Sequence, residues 1–326
     1  MKRSNAAMDS VPDTGQDPGV AWMQHMRSGQ WQQAWQLADC ALPARAQTSC
    51  AHLPRHLQYV WSGAPLAGKR VLVRCYHGLG DTLQFIRYAP MLHAIAAQVT
   101  VWVQPALLPL LRDVDGVDRW LTLHDGTPEL EFDVDVEIME LPHVFRSTPA
   151  TLPARIPYLH VAPMALDPSH ARPRVGLVWK AGDWDDTRSI PFALLAPLAS
   201  LDEVTLFILQ PAAAAAGWHG QFGVYPGDLV DLVDYARALR AMDLLVTIDS
   251  MPAHLAGALG VPTWTLLQAD ADWRWMQDRD DSPWYPGMQL FRQPRAGDWE
   301  SVIAEVVVAL ERWQSQWHAL SAGRGD

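Results

Sequence analysis

Asp249-Ser250-Met251-Pro252-Ala253-His254 carries residue types suited to phosphate chemistry. An apolar run, Leu244 to Ile248, precedes it and another, Thr263 to Leu267, follows. The pattern predicts buried strand, tight turn, short helix and buried strand. Ser250 is a residue of the N-cap type, and Pro252 suits a first helical turn. A helix start presents backbone N–H groups and the positive end of the helix dipole, a site for a diphosphate. His254, one turn in, can hydrogen-bond a phosphate oxygen. It can equally pack against a sheet and bond a carbonyl.

A second candidate lies upstream at His77-Gly78-Leu79-Gly80-Asp81-Thr82, behind the apolar strand Val71 to Tyr76. Gly78 and Gly80 allow close backbone approach. Asp81 is either a helix cap or, partly buried in a cleft, a base for a hydroxyl proton. Leu83 stands where a dinucleotide fingerprint needs a small residue, and Gln104-Pro105 where it needs an acid, which argues against NAD. The chain has no Gly-x-Ser-x-Gly elbow, which removes the α/β-hydrolase reading. Lys180 and Arg188 bracket a polar loop and are candidate donor-phosphate contacts, though Arg188 can equally pair with Asp185 or Asp186. Asp270 to Pro286 is charged and aromatic; Trp273 and Arg274 there, with His77, can contact a sugar or acceptor, or can pack a long loop. The three cysteines, Cys40, Cys50 and Cys75, have no metal-ligand spacing, so no metal is expected.

The elements that must position these residues need two cores. At 326 residues, with 49% hydrophobic and 19% charged residues, the chain is long and apolar enough to build both. A net charge of −11 argues against nucleic acid and against docking on an anionic membrane. No apolar run reaches membrane-spanning length and the N-terminus lacks a signal-peptide core, so a cytoplasmic protein without stable membrane insertion is expected. Residues 1–18 read as a disordered arm, and 19–66 as a helical hairpin faintly like a tetratricopeptide unit. One such unit cannot bury its own face, so it should dock on the next domain. Strands alternating with helices over 67–165 and again over 166–326 predict two Rossmann-like α/β domains. The proline-rich stretch from Pro149 to Pro173 marks the junction. The 16 tryptophans are expected mainly in cores and interfaces.

Four motifs in order resemble bacterial glycosyltransferase family 9, the ADP-heptose:lipopolysaccharide heptosyltransferases, over residues 70–310, and look most like its tetratricopeptide-associated branch. They are Gly78-Leu-Gly80-Asp81-Thr82-Leu83 with Arg87-Tyr88-Ala-Pro90; Arg188-Ser-Ile-Pro191; Asp249-Ser250-x-x-Ala253-His254 through Pro262; and Asp272-Trp-Arg-Trp275 through Phe291-Arg-Gln293. The resemblance implies a GT-B architecture with the site between the domains. It implies inverting, metal-independent transfer from a nucleotide-diphosphate sugar, such as ADP-heptose, to a glycan, lipid-linked or protein acceptor. No other cofactor is implied, and lipopolysaccharide biosynthesis is the implied setting. The family's catalytic aspartate falls on Asp81, its diphosphate-binding helix start on Asp249, Ser250 and His254, and its basic residue on Arg188. The family usually has lysine at position 188 and threonine at 250, so the donor sugar stays open. Alternatives are a UDP- or GDP-sugar transferase, a nucleotide-sugar 2-epimerase, and a catalytically degenerate GT-B binding module.

Overall fold

The structure is a computed structural model that describes residues 17–166, 172–182, 185–227 and 229–322, with side chains through Trp317. Residues 1–16 of the expected arm, part of the proline-rich junction, and Asp183-Trp184 lie outside the described residues, while Asp17 and Pro18 belong to the start of the first helix.

Two parallel sheets form the frame. The first contains β1 (Arg70–Arg74), β2 (Gln98–Val103), β3 (Arg119–Thr122) and β4 (Val134–Glu137), in the order β3-β2-β1-β4. The second contains β5 (Arg174–Val178), β6 (Thr205–Ile208), β7 (Leu244–Ile248), β8 (Thr263–Leu267) and β9 (Met288–Arg292), in the order β6-β5-β7-β8-β9. All pairings are parallel. Every residue of β7 and β8 is buried, which is why both read as unbroken apolar runs. In each sheet the strand order reverses beside the first strand. β1 lies between β2 and β4, and β5 between β6 and β7. Loops leaving the C-terminal ends of strands at such points enclose a crevice where ligands bind in open α/β sheets. This is the GT-B arrangement expected from the motifs.

Nine α-helices are described. The hairpin is α1 (Pro18–Arg27) and α2 (Trp31–Gln47), turned at Gly29, whose φ is 78°. Asp17 caps α1 by accepting from Gly19 and Val20 N–H groups. The stretch after the glycine-rich turn is broken into α3 (Leu79–Phe85), a 3-10 turn (Ile86–Tyr88) and α4 (Ala89–His93). Pro90 supplies the reason, since it has no N–H for the preceding turn. Short helices α5 (Leu108–Leu111) and α6 (Leu141–Val144) follow. In the second half, Phe192–Ser200 is a 3-10 helix containing Pro197. Then come α7 (Leu232–Arg240), α8 (Met251–Leu259) and the terminal α9 (Trp299–Ala322).

One apolar core runs from the hairpin through the first sheet to α7 and α8. A second lies between the other face of the second sheet and α9, around Val302, Ile303 and Val306. The hairpin docks as expected, on aromatic rings. Trp31 stacks on Trp284 at 5.4 Å and meets Trp273 edge-on at 5.8 Å, while Trp22 also meets Trp273 at 5.8 Å. The Trp35 ring stacks on His143, and its indole N–H donates to the Ser147 carbonyl at 2.7 Å. Asp39 on α2 is bonded by His143 and, at two oxygens, by Arg146.

Candidate active site

The starts of α3 and α8 face each other across the gap between the sheets. Gly80 sits at the contact. A Cβ there would lie 2.9 Å from His254 Cδ2 and 3.4 Å from Met251 Cα, so only glycine lets the two helix starts approach this closely. A cleft of about 780 Å³ opens beside the contact. Its walls come from the loops after β1, β4, β5, β7 and β8 and from α1. It brings together His77, Gly78, Gly80, Asp81, Arg188, Asp249, Ser250, His254 and Arg274.

Two predicted residues lie outside that wall. Trp273 is buried between Trp22, Trp31, Phe85 and Trp284, where it anchors the hairpin rather than facing a sugar. Lys180 follows β5, with its backbone N–H held by Gln210 Oε1 at 2.8 Å, but does not line the cleft.

Asp81 has both carboxylate oxygens engaged. Oδ2 accepts the Gly78 N–H at 2.9 Å, closing the turn into α3, and Oδ1 accepts from Arg274 Nη2 at 2.6 Å. The two readings of this residue, cap and cleft carboxylate, therefore coexist. Arg274 is buried, and its other donors reach Asp272 Oδ1 at 2.7 Å and Gln84 Oε1 at 2.9 Å. One guanidinium thus ties the loop after β8 to the start of α3, and it holds the Asp81 carboxylate in a fixed direction.

The start of α8 differs from its sequence expectation. Ser250 is in the N-cap position but makes no side-chain cap; its hydroxyl turns back to the Ile248 carbonyl at 3.4 Å. Pro252 has no N–H, and that of Ala253 is bonded to the Ser250 carbonyl at 3.0 Å. The helix start therefore offers fewer donors than a generic one. Arg188 reaches it by donating Nη1 to the Asp249 carbonyl at 3.0 Å, and its Nε lies 3.5 Å from Asp185. Burial, aided by nearby Asp272, pushes the Asp249 carboxyl up to about 6. His254 is buried, its Nδ1 lies 3.1 Å from the Tyr285 hydroxyl, and its ring stacks on Trp275. Burial first, then Arg274, Arg87 and Arg188, hold its pKa well below the ordinary value. It is a neutral hydrogen-bonding group here, not a cation.

Glu137, Met23 and Arg27 are among the residues at or beneath the cleft that were not anticipated. Glu137, at the end of β4, is buried beneath His77, with its Oε2 3.9 Å from His77 Nε2. Burial pushes its pKa up to about 8, while N–H bonds from Met139 and Tyr76 oppose that shift. Burial also lowers the His77 pKa. Met23 and Arg27 of α1 reach the cleft wall. No local signal marked them, since a basic residue in a last helical turn is ordinary. Among the described residues no group of three or more His, Cys, Asp or Glu is placed to hold a metal ion.

No model of a protein family matches the chain. The crystal structure of the glycosyl transferase family 9 from Veillonella parvula superimposes with a TM-score of 0.56 at 12% identity, covering 78% of this chain and 99% of that one. This chain has the GT-B fold of that family 9 structure. Among other solved structures, the Escherichia coli ADP-heptose lipopolysaccharide heptosyltransferase II aligns over 74% of this chain and 99% of its own, with a TM-score of 0.49 and 13% identity. Protein FlbA of Caulobacter vibrioides is 26% identical over 294 residues, 77% of this chain and 48% of FlbA. The chain thus spans about half the length of the curated relative it matches. In GT-B terms the cleft lies between the two Rossmann-like sheets, and no helix among the described residues is long and apolar enough to cross a membrane.

Proposed function

We propose that this protein belongs to the family 9 glycosyltransferases and moves a sugar from a nucleotide-diphosphate donor to an acceptor hydroxyl. The observation that carries this reading is the meeting, in one cleft, of the Asp81 turn on the first sheet with Arg188 and the start of α8 on the second. A transferase needs these two chemistries on opposite walls: a carboxylate for the acceptor proton and donors for a leaving diphosphate. In the proposed reaction the acceptor oxygen attacks the anomeric carbon as the bond to the diphosphate breaks, inverting the centre. Asp81 receives the hydroxyl proton, a role worth about 10²–10⁴ in rate. Arg274 keeps the Asp81 carboxylate aimed. Arg188, Ser250 and the Nε2 of His254 hydrogen-bond the departing phosphates. In this reading protein groups, not a metal, carry the leaving charge. ADP-heptose is the donor to test first, with UDP- and GDP-sugars beside it, and the acceptor is a glycan, lipid-linked or protein hydroxyl. The setting proposed is cytoplasmic lipopolysaccharide assembly.

The test is a thermal-shift screen of the full chain against ADP, UDP, GDP, CDP and dTDP. A ligand at a hundred times its Kd adds about 2.7 kcal/mol, which corresponds to about 4 °C in Tm for a chain of this length unfolding as one unit. A shift with one nucleotide supports the reading and names the donor; no shift with any of them removes it. A GT-B nucleotide-binding module without turnover is the second reading. It is favoured by the engagement of both Asp81 oxygens, which leaves that carboxylate a satisfied structural group. Slow hydrolysis of the matching sugar nucleotide separates the two, because only the transferase leaks product.

A further inference from the structure

The cleft wall carries five aspartates, Asp81, Asp185, Asp249, Asp270 and Asp272, against three arginines, Arg27, Arg188 and Arg274. A diphosphate entering this cleft meets more carboxylate than guanidinium, so each arginine able to turn toward it matters. Arg274 is committed: its Nε, Nη1 and Nη2 donate to Gln84, Asp272 and Asp81. Arg188 bonds the Asp249 carbonyl with one Nη. The start of α8 is short of donors because of Pro252.

Arg27 stands differently. It lies in the last turn of α1, with its side chain 19% exposed, and it pairs through Nη1 with Asp270, whose side chain is 85% exposed. An ion pair to so exposed a carboxylate contributes little and exchanges readily for a phosphate that can be gripped at two oxygens. Its Nε is buried with no hydrogen-bond partner among the described residues. The backbone beneath it is fixed, since the Arg27 carbonyl accepts the Gln277 N–H at 2.8 Å and Trp22 locks α1 against Trp273. A rooted guanidinium at a cleft wall, paired with an exposed carboxylate, is a prepared oxyanion contact.

We propose that Arg27 binds the diphosphate of the nucleotide sugar, so that the N-terminal hairpin is part of the donor site. This rests on reading the cleft as a nucleotide-sugar site. Asp270 then holds the guanidinium in the empty protein and competes with the phosphate for it.

The test is calorimetric titration of the full-length protein with ADP, UDP, GDP and inorganic pyrophosphate, using wild type, Arg27→Ala, Asp270→Asn and Arg188→Ala. For the nucleotide that binds, Arg27→Ala is expected to weaken affinity about ten- to a hundredfold, the worth of a hydrogen bond to a charged group. Asp270→Asn, which removes the competitor, is expected to keep or tighten it. A pair that merely fastens the hairpin predicts that both variants lose affinity together, and that result overturns the proposal. Unchanged affinity in Arg27→Ala with a loss in Arg188→Ala overturns it too, leaving the nucleotide-sugar reading in place. If the wild-type protein binds none of the four ligands, the nucleotide-sugar reading and this proposal fall together.

Discussion

Glu137 shows how one buried side chain ties stability to pH. Its folded pKa, about 8, lies above the ordinary carboxyl value of 4.5, so between those values the folded state holds a proton that the unfolded chain has released. Stability contributed by that proton is complete at low pH and is lost as pH rises through about 8. Asp249, at about 6 against 3.8, adds a loss of the same sign at lower pH. Glu137→Gln removes the titration and keeps a carbonyl oxygen for the Met139 N–H, which bonds Oε2 at 2.6 Å, while the weaker Tyr76 N–H bond to Oε1 at 3.3 Å is given up. Its Tm measured from pH 5 to 9 should therefore fall less steeply than that of the wild type, with the gain greatest at the alkaline end. Equal slopes would show that Glu137 is not held protonated.

At the same scale, Asp81 separates chemistry from binding. Asp81→Asn should abolish sugar transfer while nucleotide affinity stays within about threefold, because the residue faces the acceptor side in the proposed reaction. Its Tm should drop modestly, since Arg274 keeps Asp272 and Gln84. Retained turnover in this variant would reassign the proton transfer. Gly80→Ala tests the contact of α3 with α8. Its Cβ has Met251 backbone at 3.4 Å as well as the His254 ring at 2.9 Å, so repacking should cost about 1–3 kcal/mol. Chemical denaturation reads that cost directly, and a neutral result would mean that the helix starts are free to part.

Among the elements, the hairpin differs most from what a tetratricopeptide-like pattern suggests. Such a unit is ordinarily one of a stack, whereas here its apolar face is covered by the loop after β8 and by α6. Trp31, fully buried against Trp284 and Trp273, is the centre of that contact. Trp31→Ala should lower stability by about 3–5 kcal/mol. It should also weaken nucleotide binding, because Trp273 is next in the chain to Arg274. A variant destabilised in α1 and α2 alone, with nucleotide affinity intact, would detach the hairpin from the site. Gly257 is the matching device under α8: a Cβ there would lie 2.3 Å from the Tyr285 ring, which holds His254 in place.

In the whole molecule the cleft is the place where separate pieces meet, and a bound nucleotide should be felt by all of them. Hydrogen exchange with and without the nucleotide that raises Tm is expected to slow together at the end of α1, at the turn from His77 to Asp81 and at the start of α8. Protection confined to α8 would restrict the donor site to the second sheet. The acidic wall has a related consequence: anionic ligands enter against a negative field, so added salt should weaken nucleotide binding less than in a basic site.

Much of this was legible in the chain. Runs such as Leu244 to Ile248 and Thr263 to Leu267 can only be buried strands, and their alternation with helices dictates two parallel sheets with the glycine-rich turn and the α8 start at strand ends. Periodicity is a local property, so it survives without a structure. β9 escaped because its short mix of apolar and polar residues, Met288 to Arg292, lies at a sheet edge and has no clear period, and the break between α3 and α4 has no signal in apolar spacing because Pro90 acts on hydrogen bonds. What the tertiary structure alone decided are the distant pairings. Arg274 bonds Asp81 across 193 positions, Arg27 comes to face Asp270 across 243, and Trp273 turns away from the cleft to receive the hairpin. The acids that outnumber arginines around the cleft are scattered along the chain and become one electrostatic wall only when packing brings them together. Ion pairs and ring stacks of that kind depend on distance in space, which no residue spacing along the sequence encodes.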